Sequence, residues 1–176
     1  VIKKIYQTNI EVPVFFIETK QNISEYKNTL ISQIEEGIKT SNLNYKTNLK
    51  GKMTDWLYFK ENKNFFKILD QFFSEIKSNC PQLKSTVLYN AWGIKVEKGD
   101  KTIPHNHYEF CYSGILYLNS TDLPIDFYDL NISITPQEGT FLFFSPILKH
   151  GTKENLSNDP KYAIVFNFSE KKDWDD

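Results

Sequence analysis

From residue 86 onward the chain loses any helical period and breaks into short runs rich in β-branched and aromatic residues. These are TVLYNAWGIKVE (86–97), YSGILYLN (112–119), PIDFYDL (124–130), NISITP (131–136), TFLFFSP (140–146) and YAIVFNFSE (162–170). Turn-forming clusters separate most of them: Lys98-Gly99-Asp100, Asn119-Ser120-Thr121-Asp122, Glu138-Gly139 and Asn158-Asp159-Pro160. Many short strands with regular turns predict a sandwich or jelly roll, because single short strands cannot bury their apolar faces alone. A strand around Val12–Glu18 is expected to join the same sheets.

The first half reads differently. Ile23, Leu30, Ile31, Ile34 and Ile38 recur at helical spacing to about residue 40, behind an Asn22…Glu25 pair that resembles a capping box. Phe65, Phe66, Ile68, Leu69, Phe72, Phe73 and Ile76 form a broad apolar stripe from about Asn62 to Ser78, with Pro81 beyond it. Both helices are expected to pack on a sheet as supports. Thr40–Lys60, between them, reads as a long loop. No repeat or linker divides the 176 residues, so one domain spans 1–176: an N-terminal strand and supporting helices over 1–85, a jelly-roll core over 86–170, and a tail over 171–176. The expected class is mostly β with N-terminal helices.

Composition removes several alternatives. With 40% hydrophobic and 15% aromatic residues the chain can build a core, and a net charge of −1 gives no basic field for nucleic acid. No apolar run reaches the ~20 residues of a membrane span. VPVFFIE (12–18) is too short and poorly flanked for a signal peptide. Cys80 and Cys111 look like reduced, buried thiols, so a cytoplasmic protein is expected. The Asn-x-Ser triplets at Asn22, Asn131, Asn155 and Asn167 are what so much Asn and Ser produces by chance.

The chemistry concentrates on few residues. The chain has three histidines, and they stand in PHNHYEFCYSGILYLN (104–119) and at the end of FLFFSPILKH (141–150). His105 and His107, two apart, would share a face on a regular strand, and His150 follows after room for about four short strands. Neutral imidazole suits Fe, Zn or Cu. All 21 basic residues are lysines, so a bound anion must be met by Lys, hydroxyl or backbone. Lys161 stands at the mouth of the last strand, where a cation could reach the cavity. Tyr117 and Ser113 share a face of the strand after the motif and are cavity or core; Trp92 and Tyr89 read equally as wall or core.

This pattern resembles the Fe(II)/2-oxoglutarate-dependent oxygenases, and within them a small single-domain group of phages and bacteria. The group's pattern reads roughly PHxHxxxxxSGxxYL, then EGxLxLFPSxxxH, then a basic residue before a strand ending in FN. The matching segments here are PHNHYEFCYSGILYL (104–118), EGTFLFFSPILKH (138–150), and Lys161 followed by YAIVFN (162–167). NAWGIKVEKGD (90–100) resembles the strand and Gly turn that precede the motif. The resemblance implies a double-stranded β-helix (jelly roll, cupin-like), Fe(II) held by His105, His107 and His150, and 2-oxoglutarate with its far carboxylate on Lys161; Tyr117 and Ser113, by their strand face, are the candidate co-substrate neighbours. It further implies dioxygen as partner and C–H hydroxylation of a small-molecule or protein substrate that the sequence does not name.

The chain departs from the superfamily in two places. A His stands where the usual His-x-Asp/Glu…His triad carries its carboxylate, and His107-x-Glu109 with His150 is the alternative that restores one. Lys161 replaces the commoner Arg, giving a point charge without the bidentate fork. Two other functions fit the residues: a three-His dioxygenase that uses no 2-oxoglutarate, and a jelly-roll binding module without catalysis.

Overall fold

The computed structural model describes residues 14–41, 47–76 and 86–170. Residues 12–13 of the expected first strand, Cys80, Pro81 and the 171–176 tail lie outside them. Six strands pair antiparallel in the spatial order β1 (Phe16–Lys20), β9 (Thr140–Phe144), β6 (Tyr112–Tyr117), β11 (Lys161–Glu170), β4 (Thr86–Val96) and β3 (Lys52–Met53). A smaller sheet joins β10 (His150–Thr152), β7 (Ile125–Phe127) and β8 (Ile132–Ile134), and a two-stranded pair joins β2 (Leu49–Lys50) to β5 (Lys101–Thr102).

Alternation along the long strands sorts their side chains onto two faces with different partners. Leu116, Phe141, Phe143, Ile164, Phe166 and Phe168 join the helices in one buried cluster. Their neighbours Ile115, Tyr117, Leu142, Phe144 and Ala163 join Ile125 and Phe127 of the small sheet in another. The layers are therefore helices, large sheet and small sheet, and the jelly-roll expectation holds. Between His107 and His150 lie the four strands β6 to β9, as the spacing allowed.

Helix α1 (Lys27–Thr40) buries Leu30 and Ile34, and α2 (Lys63–Ile76) buries Phe65, Ile68, Leu69, Phe72 and Ile76. Phe72 stacks on Phe141 with centroids 4.0 Å apart, and side chains of this size each contribute about 1.5–3 kcal/mol on burial. Asn62 caps α2, its Oδ1 accepting the Asn64 and Phe65 N–H groups. The Asn22 box does not form. Asn22 Oδ1 instead accepts from Ser24 N–H and Oγ–H, closing a local turn, and α1 starts at Lys27 without a side-chain cap.

The large sheet leaves no room for a side chain at Gly114, where a Cβ would lie 2.2 Å from the Phe166 ring, and Gly139 turns into β9 at φ 79°. Thr40–Lys60 is not simply a loop: β2 and β3 fall inside it. No helix among the described residues is long and apolar enough to cross a membrane. Asn155 and Asn167 are buried, which removes both as glycosylation acceptors in the folded state.

Candidate metal centre and cavity

The three imidazoles meet at the edge of the small sheet, but not by the strand alternation their spacing suggested. His105 forms a two-way backbone bridge with His150, each N–H donating to the other's C=O. His107 lies beyond that bridge in irregular chain and is held by its N–H to Pro146 O at 2.8 Å. The ring centroids are 4.8 Å (His105–His107), 4.6 Å (His105–His150) and 5.2 Å (His107–His150) apart. One nitrogen of each lies within 4.8 Å of the others.

Hydrogen bonds fix two of the three tautomers. His105 Nδ1 lies 2.8 Å from Ile103 O and His150 Nδ1 lies 2.9 Å from Leu148 O. A carbonyl only accepts, so each Nδ1 carries the proton and each Nε2 keeps its lone pair for a ligand. Burial holds all three rings neutral. It depresses His107 to about 3, with repulsion from His150 and His105 adding to the effect. His150 falls to about 4 for the same leading reason, and His105 is lowered too. Phe127 and Phe144 pack 5.4 Å and 5.0 Å from the His150 ring and keep water from it. Glu109 is exposed and stands outside the His cluster.

The histidines open into a cavity of about 500 Å³ between the sheets. Lys161 forms part of its wall, although only 2% of the residue is exposed. Its Nζ has no hydrogen-bond or ion-pair partner among the described residues and stands 5.6 Å from the centre of the Tyr117 ring. Desolvation alone lowers the Lys161 ammonium to about 8. Tyr117 also lines the cavity, and burial raises its phenol. Ser113 is set back: it is buried and its Oγ donates to Asn167 Oδ1 at 2.7 Å. Asn167 and Asn90 reach the wall in its stead.

Trp92 and Tyr89 both line the cavity. Trp92 meets Trp56 edge-on at 4.5 Å, and Tyr89 leans on Phe110 at 5.3 Å. Thr47, Leu49, Met53 and Trp56 bring the segment first read as a loop into the wall. The sequence pattern did not single out Asn90 as a site residue, and marked Asn167 as the end of a motif and as an Asn-x-Ser triplet. A signal was present, because Asn is depleted in strands and both sit inside runs of strong β-formers.

No family model and no curated protein matches the chain. Solved structures do. A viral collagen prolyl hydroxylase from Paramecium Bursaria Chlorella virus-1, in complex with 2OG, aligns with TM-score 0.67 at 15% identity over 88% of this chain and 96% of that one. A prolyl-4-hydroxylase from Pseudomonas putida aligns with TM-score 0.65 at 13% identity over 89% and 93%. HygX from Streptomyces hygroscopicus, with nickel, 2-oxoglutarate and hygromycin B bound, aligns with TM-score 0.67 at 10% identity over 89% and 83%. The likeness is one of fold, and it makes the two facing sheets a double-stranded β-helix.

Proposed function

We propose that the chain is an Fe(II)- and 2-oxoglutarate-dependent dioxygenase that hydroxylates a C–H bond. The observation that carries this reading is Lys161, a buried ammonium without a counter-ion among the described residues, in the cavity that holds the three imidazoles. A lone buried charge is unfavourable unless an anion meets it. A dicarboxylate with a keto-acid head is an anion that could serve a metal at one end and a lysine at the other.

The donor set fits iron. Three neutral nitrogens, two of them with Nε2 free, suit a borderline divalent metal and leave other coordination positions open. His105, His107 and His150 are the ligands in this reading, and Glu109 remains on the rim. Iron with 2-oxoglutarate and dioxygen supplies an oxidative decarboxylation to succinate and carbon dioxide, coupled to hydroxylation of the substrate. The chain's own part is positioning and exclusion. The Ile103 and Leu148 carbonyls aim two rings, Phe127 and Phe144 keep water from His150, and Lys161, whose Nζ stands by the Tyr117 ring, would hold the far carboxylate. The 2-oxoglutarate bound in the viral prolyl hydroxylase and HygX structures supports this reading through a shared fold.

Anaerobic addition of Fe(II) and then 2-oxoglutarate should produce the visible charge-transfer band of the chelate, and admitting oxygen should yield succinate. The all-imidazole set also favours a three-His dioxygenase without 2-oxoglutarate, but that reading leaves Lys161 with nothing to neutralise. Iron binding with neither band nor succinate would select it. Failure to bind Fe(II) would leave a binding module.

A further inference from the structure

β4 and β11 fall out of step at one point, and a second polar feature of the cavity stands there. Asn167 pairs with Asn90 and Phe168 with Leu88, so Tyr89 has no residue opposite. Leu88 and Ala91 keep to the helix-side core while Tyr89 and Asn90 both line the cavity. Asn90 is only 8% exposed.

A hydrogen-bond chain sets which way its amide points. Ser113 Oγ donates to Asn167 Oδ1 at 2.7 Å, and Asn167 Nδ2 donates to Asn90 Oδ1 at 2.9 Å. Reversing both amides would leave the proton of the buried Ser113 hydroxyl without an acceptor among the described residues, so the chain runs from core to cavity. Asn90 Nδ2 ends it, with no acceptor of its own among the described residues. That N–H is open to the cavity, where a ligand carbonyl can replace water as its acceptor.

Lys161 and Asn167 are six residues apart on β11, roughly 20 Å along the strand. A five-carbon diacid held at Lys161 therefore does not account for this end of the cavity. The wall continues to Ser169, making a trough along one strand that suits an extended chain. Among the described residues, its charged wall residues are Lys161 and Glu109. With Lys161 neutralised, Glu109 remains, exposed and without an ion-pair partner among the described residues, beside the Tyr89–Phe110 ring pair. An anion beside aromatic faces favours a cation.

We propose that Asn90 is the recognition donor for the primary substrate: it takes an amide carbonyl of a basic peptide whose cationic side chain lies at Glu109. This deepens the oxygenase reading and rests on it for the reaction, whereas binding is tested separately.

The probes are three pools of acetylated, amidated heptapeptides, random in sequence but fixed as basic, acidic or neutral. They are added anaerobically to protein carrying Fe(II) and 2-oxoglutarate, and the readouts are perturbation of the visible band and, after oxygen, stimulation of succinate formation. The basic pool should half-saturate the wild type at least about tenfold below the acidic pool. Asn90→Leu should weaken the basic pool about 10–100-fold, the range for losing one buried hydrogen bond to an unpaired partner. Asn90→Asp, which keeps the size and still accepts from Asn167, should do the same and guards against a folding defect in the leucine variant. Glu109→Gln should erase the preference for basic peptides. Weakening of 2-oxoglutarate instead of peptide in Asn90→Leu would give the amide to the co-substrate and overturn the proposal. Three inert pools on a wild type that shows the band would overturn the peptide class while the oxygenase reading stands. No band in the wild type would sink that reading first, and this inference with it.

Discussion

Lys161 is 2% exposed, and its ammonium is held out of water in the folded chain. Lowering Lys161 from 10.5 to about 8 corresponds to roughly 3 kcal/mol against the folded state wherever both native and unfolded chains carry the proton. Between about 8 and 10.5 the unfolded chain binds that proton and the native chain does not, so this lysine makes stability rise with pH across that window and leaves it level below. Lys161→Met should therefore stabilise the ligand-free protein at pH 7 by about 1–3 kcal/mol, read as a higher melting temperature. The same substitution should weaken 2-oxoglutarate by roughly one to three orders of magnitude and leave iron affinity unchanged. Because the ammonium form is the one that meets a carboxylate, wild-type 2-oxoglutarate affinity should hold below pH 7 and fall above about 8, up to tenfold per unit. A flat pH profile would move the anchor elsewhere. The proposed iron ligands have their own contrast: His150→Ala and His105→Ala should lose stoichiometric Fe(II) binding, whereas Glu109→Gln should keep it, measured by anaerobic titration.

At the level of elements, α2 holds the large sheet from behind through the Phe72–Phe141 stack. Phe72→Ala should cost about 3–5 kcal/mol in chemical denaturation, with iron affinity of the folded fraction intact, because the ring lies on the face away from the cavity. The elements were legible in proportion to their length. The two helices and the strands of five residues or more declared themselves by period and turns, and the pairs at Leu49–Lys50, Lys52–Met53 and Lys101–Thr102 did not. A two-residue strand has no period to read, and it exists because a neighbour offers a free edge. β10 is three residues long, as β7 and β8 are, but His150-Gly151-Thr152 has none of the apolar alternation that marks PIDFYDL and NISITP. The triad was found by residue type, but its convergence depends on the His105–His150 bridge and the Pro146 contact, which spacing does not encode.

For the whole molecule, the three-histidine group joins the stretch around His105–His107 to β10. A metal bound there should act as a cross-link between segments more than forty residues apart in sequence. Saturating Fe(II) at ~1,000 times its Kd should raise stability by about 4 kcal/mol, seen as a melting shift that chelator reverses and His150→Ala lacks. The unmatched Tyr89 has a consequence on another timescale. Leu88 and Asn90 already sit on the faces they would occupy if they were adjacent, so removing Tyr89 leaves every other residue of β4 in phase. Position 89 is thus a place where descent can add or delete one residue without scrambling the sheet. What such an edit changes is the ring that leans on Phe110, so the cavity rim can be remodelled by a three-nucleotide event while the barrel stays as it was.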